Sequence, residues 1–352
     1  MAWTVVGQDA AVAALRGGVE HGRVSHAYLF AGPRHTGKTL TALQFAQALN
    51  CERDEPPCGR CRQCERIAGG QHPDVEIVEP GGLCDERDHD HRSDGSRAIR
   101  ICQVRRIERV VSRAAFDARY RVLIFEPADA IGADASHALL KTLEEPPAQV
   151  VMILVTDREE MLLPTILSRT RRVGFVGQPR ELIERTLRTR WDIEPGRAAE
   201  LARLAGGRLG WAVVALHDER VLEQHEEALD AAERIAAAPM SERMAFAAEA
   251  GGRYTRERAQ VHALLEAWQA WWRDLLVIAA GREQAAVHRE RLDRLRATAA
   301  QCDVRGLARA LRAVTDARQQ LEENASPALT LEAMMLALPQ VRPNAVGARL
   351  TG

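Results

Sequence analysis

The 352-residue chain holds 28% charged and 46% hydrophobic residues at a net charge of −1. That balance gives no case for wholesale coating of nucleic acid, and the length suits two or three domains with real cores. No apolar run is long enough to span a bilayer, and Met1–Gln8 lacks the basic and apolar regions of a signal peptide, so a cytoplasmic location and no membrane partner are expected.

The first informative stretch is Tyr28–Ala31, a short apolar run of strand type, followed by Gly-Pro-Arg-His-Thr-Gly-Lys-Thr at 32–39. This is a complete G-x-x-x-x-G-K-[ST] pattern, and Leu40, Leu43, Phe45 and Leu49 continue it at roughly helical spacing. Strand, glycine-rich loop and helix start are what phosphate binding requires. Gly32 and Gly37 let backbone N–H groups converge on phosphate oxygens beside Thr36. The helix start adds its dipole, Lys38 reaches the outer phosphates, and Thr39 ligates Mg²⁺. ATP or ADP with Mg²⁺ is the expected ligand.

Cys51, Cys58, Cys61 and Cys64 come next, separated by six, two and two residues. Cys-x-x-Cys steps let two thiolates grip one ion, and four thiolates close a tetrahedral shell, so a structural Zn²⁺ is expected. Pro56-Pro57 and Gly59 supply the turns. Of the seven cysteines, these four in a tight cluster suit a reduced compartment better than a disulfide framework. Residues 81–99 are polar and read as an exposed loop. Cys84, His89, His91 and Cys102 are irregularly spaced and are taken as solvated rather than as a second metal site.

Further strands are expected at Val75–Val78, Val122–Phe125, Val150–Val155 and Val173–Phe175. Helical patterns lie between them: Val104, Ile107, Val110 and Ala114 in one, Asp134 to Leu143 in another, the latter stopped by Pro146-Pro147. Such βα alternation around a phosphate loop implies a parallel sheet covered on both faces. The strand at 121–125 runs into Glu126-Pro127, where an ATPase of this kind needs Asp-Glu. The expected architecture is an α/β nucleotide-binding domain over 1–175 with a zinc module at 51–64, and a helical lid over 176–217 with two helical patterns around a Gly206-Gly207 break. An all-helical domain over 218–342 and a tail at 343–352 complete it. Trp268, Trp271 and Trp272 fall on one helical face, read as core packing in preference to a subunit contact.

Taken together, these residues resemble the bacterial clamp-loader subunits of the AAA+ class, and within that class the delta-prime family of DNA polymerase III. The matching motifs are Val6-Gly7-Gln8, the phosphate loop, the four-cysteine insertion, His72-Pro73-Asp74, Leu139–Pro147 and Leu163–Thr170. The match is dense over the first 175 residues, looser through Gly207–Ala212, and rests on Trp271–Leu275 and Asn324–Leu338 beyond that. The resemblance implies an AAA+ fold with a helical lid and a helical collar. It also implies hetero-oligomeric partners in a DNA-directed DNA polymerase holoenzyme, a nucleotidyltransferase, and through them a sliding clamp and primed DNA.

Against the family's motor subunits the chain departs at two places. Glu126 stands where the Mg²⁺-directing Asp would be and Pro127 where the water-activating Glu would be, and Gly210 takes the place of a phosphate-sensing arginine. Thr156 or Asp157 falls at the first sensor position. Ser168-Arg169-Thr170 corresponds to the family's Ser-Arg-Cys motif, so the resemblance makes Arg169 an arginine finger acting in trans on a neighbouring site. The chain's own ATPase is accordingly expected to be weak or absent. Two other readings stay open: an ATP-hydrolysing motor subunit using Asp129 or Glu126, and a zinc-dependent nucleic-acid-binding module acting alone.

Overall fold

The computed structural model describes residues 3–84, 97–113, 115–323 and 325–341. His89, His91 and the tail at 343–352 lie outside the described residues. The chain divides into two compact units, Met1–Ala198 with Ala205–Trp211, and Ala199–Leu204 with Ala212–Gly352.

The first unit contains α1 (Asp9–Glu20), β1 (Ala27–Ala31), α2 (Lys38–Asn50), α3 (Arg62–Ala68), β2 (Val75–Val78), α4 (Ile101–Val111), β3 (Arg121–Phe125), α5 (Ala133–Glu144), β4 (Val150–Thr156), α6 (Pro164–Leu167), β5 (Arg171–Gly174) and α7 (Arg180–Trp191). Its five strands are all parallel, in the order β2-β3-β4-β1-β5. β1, β3 and β4 are buried along their whole length, which is why they read as unbroken apolar runs.

Alternation sorts their side chains by face. Leu29, Leu123, Phe125, Met152 and Leu154 pack with Val104 and Ile107 of α4 and Leu139 and Leu143 of α5. Tyr28, Phe30, Val122, Ile124, Val151 and Ile153 pack on the other face with Leu15 of α1 and Ala42, Phe45 and Leu49 of α2. The order brings the carboxyl ends of β3, β4 and β1 side by side, and in an open α/β sheet ligands bind beyond those ends.

Two expectations change here. Cys102 is 4% exposed and lies on α4, because that helix starts at Ile101 and turns Cys102 inward with Val104. The end of the 81–99 segment is likewise tied down: Ile99 is buried and bridges Ile131, donating to Ala130 O at 2.8 Å and accepting from Gly132 N at 3.0 Å.

α8 (Pro195–Ala205) and α9 (Leu209–His217) follow, and the division between units runs through both. Three helices therefore occupy 178–217 where two patterns were read. Asp192 caps α7 in the left-handed region at φ 54°, and Pro195 opens α8, so the break between them carries no glycine to announce it.

The second unit continues with α10 (Glu219–Ala237), α11 (Met240–Arg253), α12 (Arg258–Ala279), α13 (Leu292–Ala299), α14 (Val304–Glu322) and α15 (Pro327–Ala337). Trp268, Trp271 and Trp272 of α12 are its largest buried side chains, packed with Leu229, Ile235, Leu307 and Met335. Trp268 Nε1 donates to Ala228 O at 2.9 Å, satisfying the one polar atom that the ring brings inside. Their burial supports the core reading. Arg243 is also buried, and its guanidinium spends its donors on the carbonyls of Ala236, Ala238, Leu338 and Pro339, at the carboxyl ends of α10 and α15. There it meets the negative ends of two helix dipoles. Among the described residues no helix is long and apolar enough to cross a membrane.

Candidate functional site

The phosphate loop runs from β1 to α2. Gly32 adopts φ +150°, and a Cβ there would come within 2.2 Å of Phe175 O, so only glycine lets the loop pass β5's end. Gln8 holds the loop from outside: its Nε2 donates to Thr36 O at 3.2 Å and Val176 O at 2.7 Å, and its Oε1 accepts from Val176 N. Gln178 adds contacts to Val6 O and Thr36 O. The glutamine of the Val6-Gly7-Gln8 motif thus fixes the loop's shape.

Lys38 is 8% exposed and donates from Nζ to Gly32 O at 2.7 Å and Pro33 O at 2.6 Å. Burial pulls its ammonium below the usual lysine range, with Asp157 and Glu126 acting the other way. The ammonium points into the concavity of the loop, where a phosphate oxygen could replace a carbonyl. Arg34, also in the loop, pairs with Asp157 at 2.5 Å, and burial of that carboxylate is outweighed by Arg34 and Lys38, which hold it ionised.

At the end of β3, Glu126 Oε1 accepts from Thr39 Oγ1 at 2.5 Å. An acid therefore stands beside the hydroxyl that would ligate Mg²⁺, and Pro127 follows it with no group able to take a proton from water. Asp129 faces away from that role: its carboxylate accepts from Thr156 Oγ1 at 2.7 Å and pairs with Arg158. Gly210 N donates to His35 O at 2.9 Å, and a Cβ at 210 would lie 2.8 Å from that oxygen. No side chain fits at 210 while this contact holds.

Arg169 lies on the segment between α6 and β5, about a third exposed. It pairs with Glu144 at 2.7 Å and donates to Thr165 O at 3.0 Å and Ser168 Oγ at 3.3 Å. None of these partners belongs to the loop residues Gly32, Thr36, Gly37, Lys38 and Thr39.

Cys51 caps the end of α2, Cys61 caps the start of α3, Cys64 lies in that helix's first turn, and Cys58 comes from the turn between. The four sulfurs lie within 4.8 Å of one another. A tetrahedral zinc with Zn–S bonds of about 2.3 Å needs sulfurs about 3.8 Å apart, so the set fits a closed four-thiolate shell with small adjustments. Burial works against ionising Cys58, but the N–H groups of Arg60 and Cys61 and neighbouring thiols outweigh it and bring the thiol down to about 6. α3 is tied to the sheet domain by Gln63, which bonds His72 Nε2 at 2.6 Å and Asp117 O at 3.0 Å, and by Arg66 with Asp117 at 2.5 Å.

Comparison with known proteins places this architecture. The family described as "DNA polymerase III, delta subunit" matches residues 7–178. DNA polymerase III subunit delta' of Bacillus subtilis is 27% identical over 324 residues, 92% of this chain and 93% of its own. The delta' subunit of Pseudomonas aeruginosa is 33% identical over 248 residues, 67% of this chain and 69% of its own. The chain belongs to the delta-prime family. It is a DNA polymerase III subunit of the clamp-loader class, and its phosphate-loop sheet is an AAA+ domain. DNA polymerase III subunit gamma/tau of Mycobacterium tuberculosis is also similar, 36% identical over 186 residues, 52% of this chain but 29% of its own.

Within this delta-prime chain, several groups around the site escaped the sequence reading. Asp157 and Asp129 were named from the sequence, but their pairing with Arg34 and Arg158 joins distant segments that no local pattern links, and Glu144 was not singled out. Glu144 does lie inside the matched Leu139–Pro147 motif, which was the available signal. Asp74 of the His72-Pro73-Asp74 motif is structural: it is buried, pairs with Arg121 at 2.8 Å and accepts from the N–H groups of Phe116, Asp117 and Ala118.

Proposed function

We propose that the chain is a largely non-hydrolysing clamp-loader subunit. In this reading it binds ATP or ADP with Mg²⁺ at Gly32, Thr36, Gly37, Lys38 and Thr39 and carries a structural zinc on Cys51, Cys58, Cys61 and Cys64. It offers Arg169 to the ATP site of a neighbouring subunit, helping to load a sliding clamp onto primed DNA in the cytoplasm. The three-part division at 175 and 217, with a helical lid and a helical collar for oligomerisation, belongs to the same reading.

The end of β3 carries it. Glu126 supports Thr39, so bound nucleotide would find its phosphate grip and a carboxylate near Mg²⁺. Pro127 leaves the attacking water without a base, and removal of a general base typically costs about 10²–10⁴-fold in rate. Gly210 against His35 removes a second means of sensing the γ-phosphate. Arg169 suits the outward role because its charge is permanent, its forked donors match phosphate oxygens, and it is accessible.

The test is ATP turnover by the purified chain, alone and then assembled with its partner subunits, with Arg169→Ala in both. Negligible turnover alone and a partial loss on assembly with the variant are expected. The Thr39–Glu126 contact also favours a second reading, a motor subunit using Glu126. Robust hydrolysis by the pure chain, abolished by Lys38→Ala, would establish that reading instead.

A further inference from the structure

α14 carries a charge pattern that neither the phosphate loop nor Arg169 explains. Leu307, Ala310, Val314, Ala317 and Leu321 turn into the core of the second unit, which leaves Arg305, Arg309 and Arg312 on the opposite side of the helix, all exposed. At 3.6 residues per turn the three arginines fall within about 60° of the helix circumference, and they span about 10 Å of its length. The chain has no acidic residue between Val304 and Thr315. Among the described residues none of the three guanidinium groups has an ion-pair or hydrogen-bond partner. Other arginines of this unit are matched: Arg318 pairs with Glu266 at 2.9 Å and Arg291 with Asp230 at 2.5 Å.

Folding does not account for the pattern. Arg305 sits in the first turn of α14, where the positive end of the helix dipole disfavours a cation, while the last turn, where a cation would help, has none. The acids that flank the stripe leave it unneutralised. Asp303 spends its Oδ1 as the helix cap, accepting from Gly306 N at 2.6 Å, and Asp316, one turn beyond Arg312, is exposed and unpaired with it. Helix terminus and arginines together make this end of α14 attractive to an anion.

We propose that Arg305, Arg309 and Arg312 hold the phosphate backbone of primed DNA, an inference that rests on the clamp-loader reading above. A rigid row of charge about 10 Å long matches about three successive phosphates of one strand, which recur every 3.4 Å or so of duplex axis. Each guanidinium is a planar fork that fits two oxygens of a phosphate, and an unpaired one gives up no partner when the phosphate arrives. An acidic protein surface offers the same charge, but protein interfaces are built around an apolar or aromatic centre. α14 lacks one on this side: of its large apolar side chains only Val304, at one end, is exposed. Backbone contacts position DNA without reading its sequence, which suits work at primers of any sequence.

The experiment is fluorescence anisotropy of a labelled primer–template oligonucleotide titrated with the full chain, repeated from about 50 to about 200 mM salt. Counterion release at three phosphates contributes about −2 to −3 to the slope of log affinity against log salt. The combined variant Arg305→Gln, Arg309→Gln and Arg312→Gln should bind more weakly at low salt, with a slope shallower by about that amount. Each single change should remove about one. Arg16→Gln, Arg185→Gln and Arg188→Gln combined take the same charge from exposed positions on α1 and α7 and should keep the wild-type slope. Folding is not at risk, since Arg305→Gln relieves the start of α14 and urea stability should not fall. No binding by the wild-type chain at the lower salt, a wild-type slope in the stripe variant, or an equal loss in the control set overturns the proposal. The assembled complex separates it from the reading beneath it. If the complex binds primed DNA equally with and without the stripe, the stripe fails and the clamp-loader reading stands; if the wild-type complex does not bind primed DNA, both fail. Lost assembly at unchanged DNA binding would give the stripe to an acidic face of a neighbouring subunit instead.

Discussion

Arg169 and Glu144 form an ion pair at 2.7 Å between the segment before β5 and the last residue of α5. Glu144 is about half exposed and Arg169 about a third, so water screens the pair and it contributes on the order of 0–1 kcal/mol. A contact of that strength orients the guanidinium without trapping it. A phosphate group offered by a neighbour would outcompete one exposed carboxylate.

Arg169→Ala should therefore leave the chain's stability, zinc content and nucleotide binding unchanged. In the assembled complex it should lower ATPase at the one shared site by about ten-fold or more, so total ATPase falls only in part. Glu144→Ala should free the arginine and leave assembly ATPase near wild type. Equal loss in both variants would mean that the pair, rather than the arginine, matters.

A second expectation concerns the chain's own pocket. Lys38→Ala removes the cation that the loop carbonyls now hold, and nucleotide affinity should drop sharply in an equilibrium binding assay. The variant should fold, because the two carbonyls released at Gly32 and Pro33 line an open loop rather than a core. Unchanged affinity would place nucleotide elsewhere or nowhere.

The fold was legible because its main signals are local. β4 is a run of buried residues from Val150 to Thr156 and could be read by eye, and the Gly32–Thr39 pattern sets both a loop and a helix start. The cysteine set was legible for the same reason, since its spacing lies within one excursion between α2 and α3. What could not be read are contacts joining distant segments. The approach of Gly210 to His35 depends on where α9 begins, and the Arg169–Glu144 pair on how α5 ends. Cys102 was misjudged because it was grouped with the residues of the polar loop before it, while the helix starting at Ile101 turns it inward.

Gly210 offers a stability test of the loop contact. A Cβ there meets His35 O at 2.8 Å and His35 C at 3.3 Å, both backbone atoms that cannot rotate away. Gly210→Ala should cost about 1–3 kcal/mol, as overpacking does, measured by urea unfolding. Gly210→Arg should cost at least as much and should not create ATPase, because Pro127 still leaves the water without a base.

Metal removal gives a further outcome. Metal analysis should find about one tightly held zinc per chain, and Cys61→Ser should lose it. Since Cys51 ends α2 and Cys61 begins α3, loss of the ion should loosen α3 and raise protease sensitivity between residues 51 and 68. The sheet should survive, because Phe45 and Leu49 are packed on it independently. Zinc retained by the Cys61→Ser chain would rule out the four-thiolate site.

The buried pair Asp74–Arg121 should set the acid limb of stability. Burial alone would raise the Asp74 carboxyl, but N–H groups of Asp117, Phe116 and Ala118 and the Arg121 guanidinium outweigh it and hold it below the usual aspartate range. A group whose folded value is depressed stabilises fully above its unfolded value of about 3.9 and loses that contribution as pH falls through the lower folded value. Stability of the wild-type chain should thus fall below about pH 4, and Asp74→Asn should flatten that fall while lowering stability at neutral pH. Asp74→Ala takes the carboxylate from Arg121, 9% exposed at its side chain and left with the carbonyls of Val110 and Arg113, and from three backbone donors. Leaving one partner of a buried pair alone costs about 3–5 kcal/mol. Urea unfolding at pH 7 and at about pH 3 measures both effects, and an Asp74→Asn chain with the wild-type acid slope would remove Asp74 from the account of acid sensitivity.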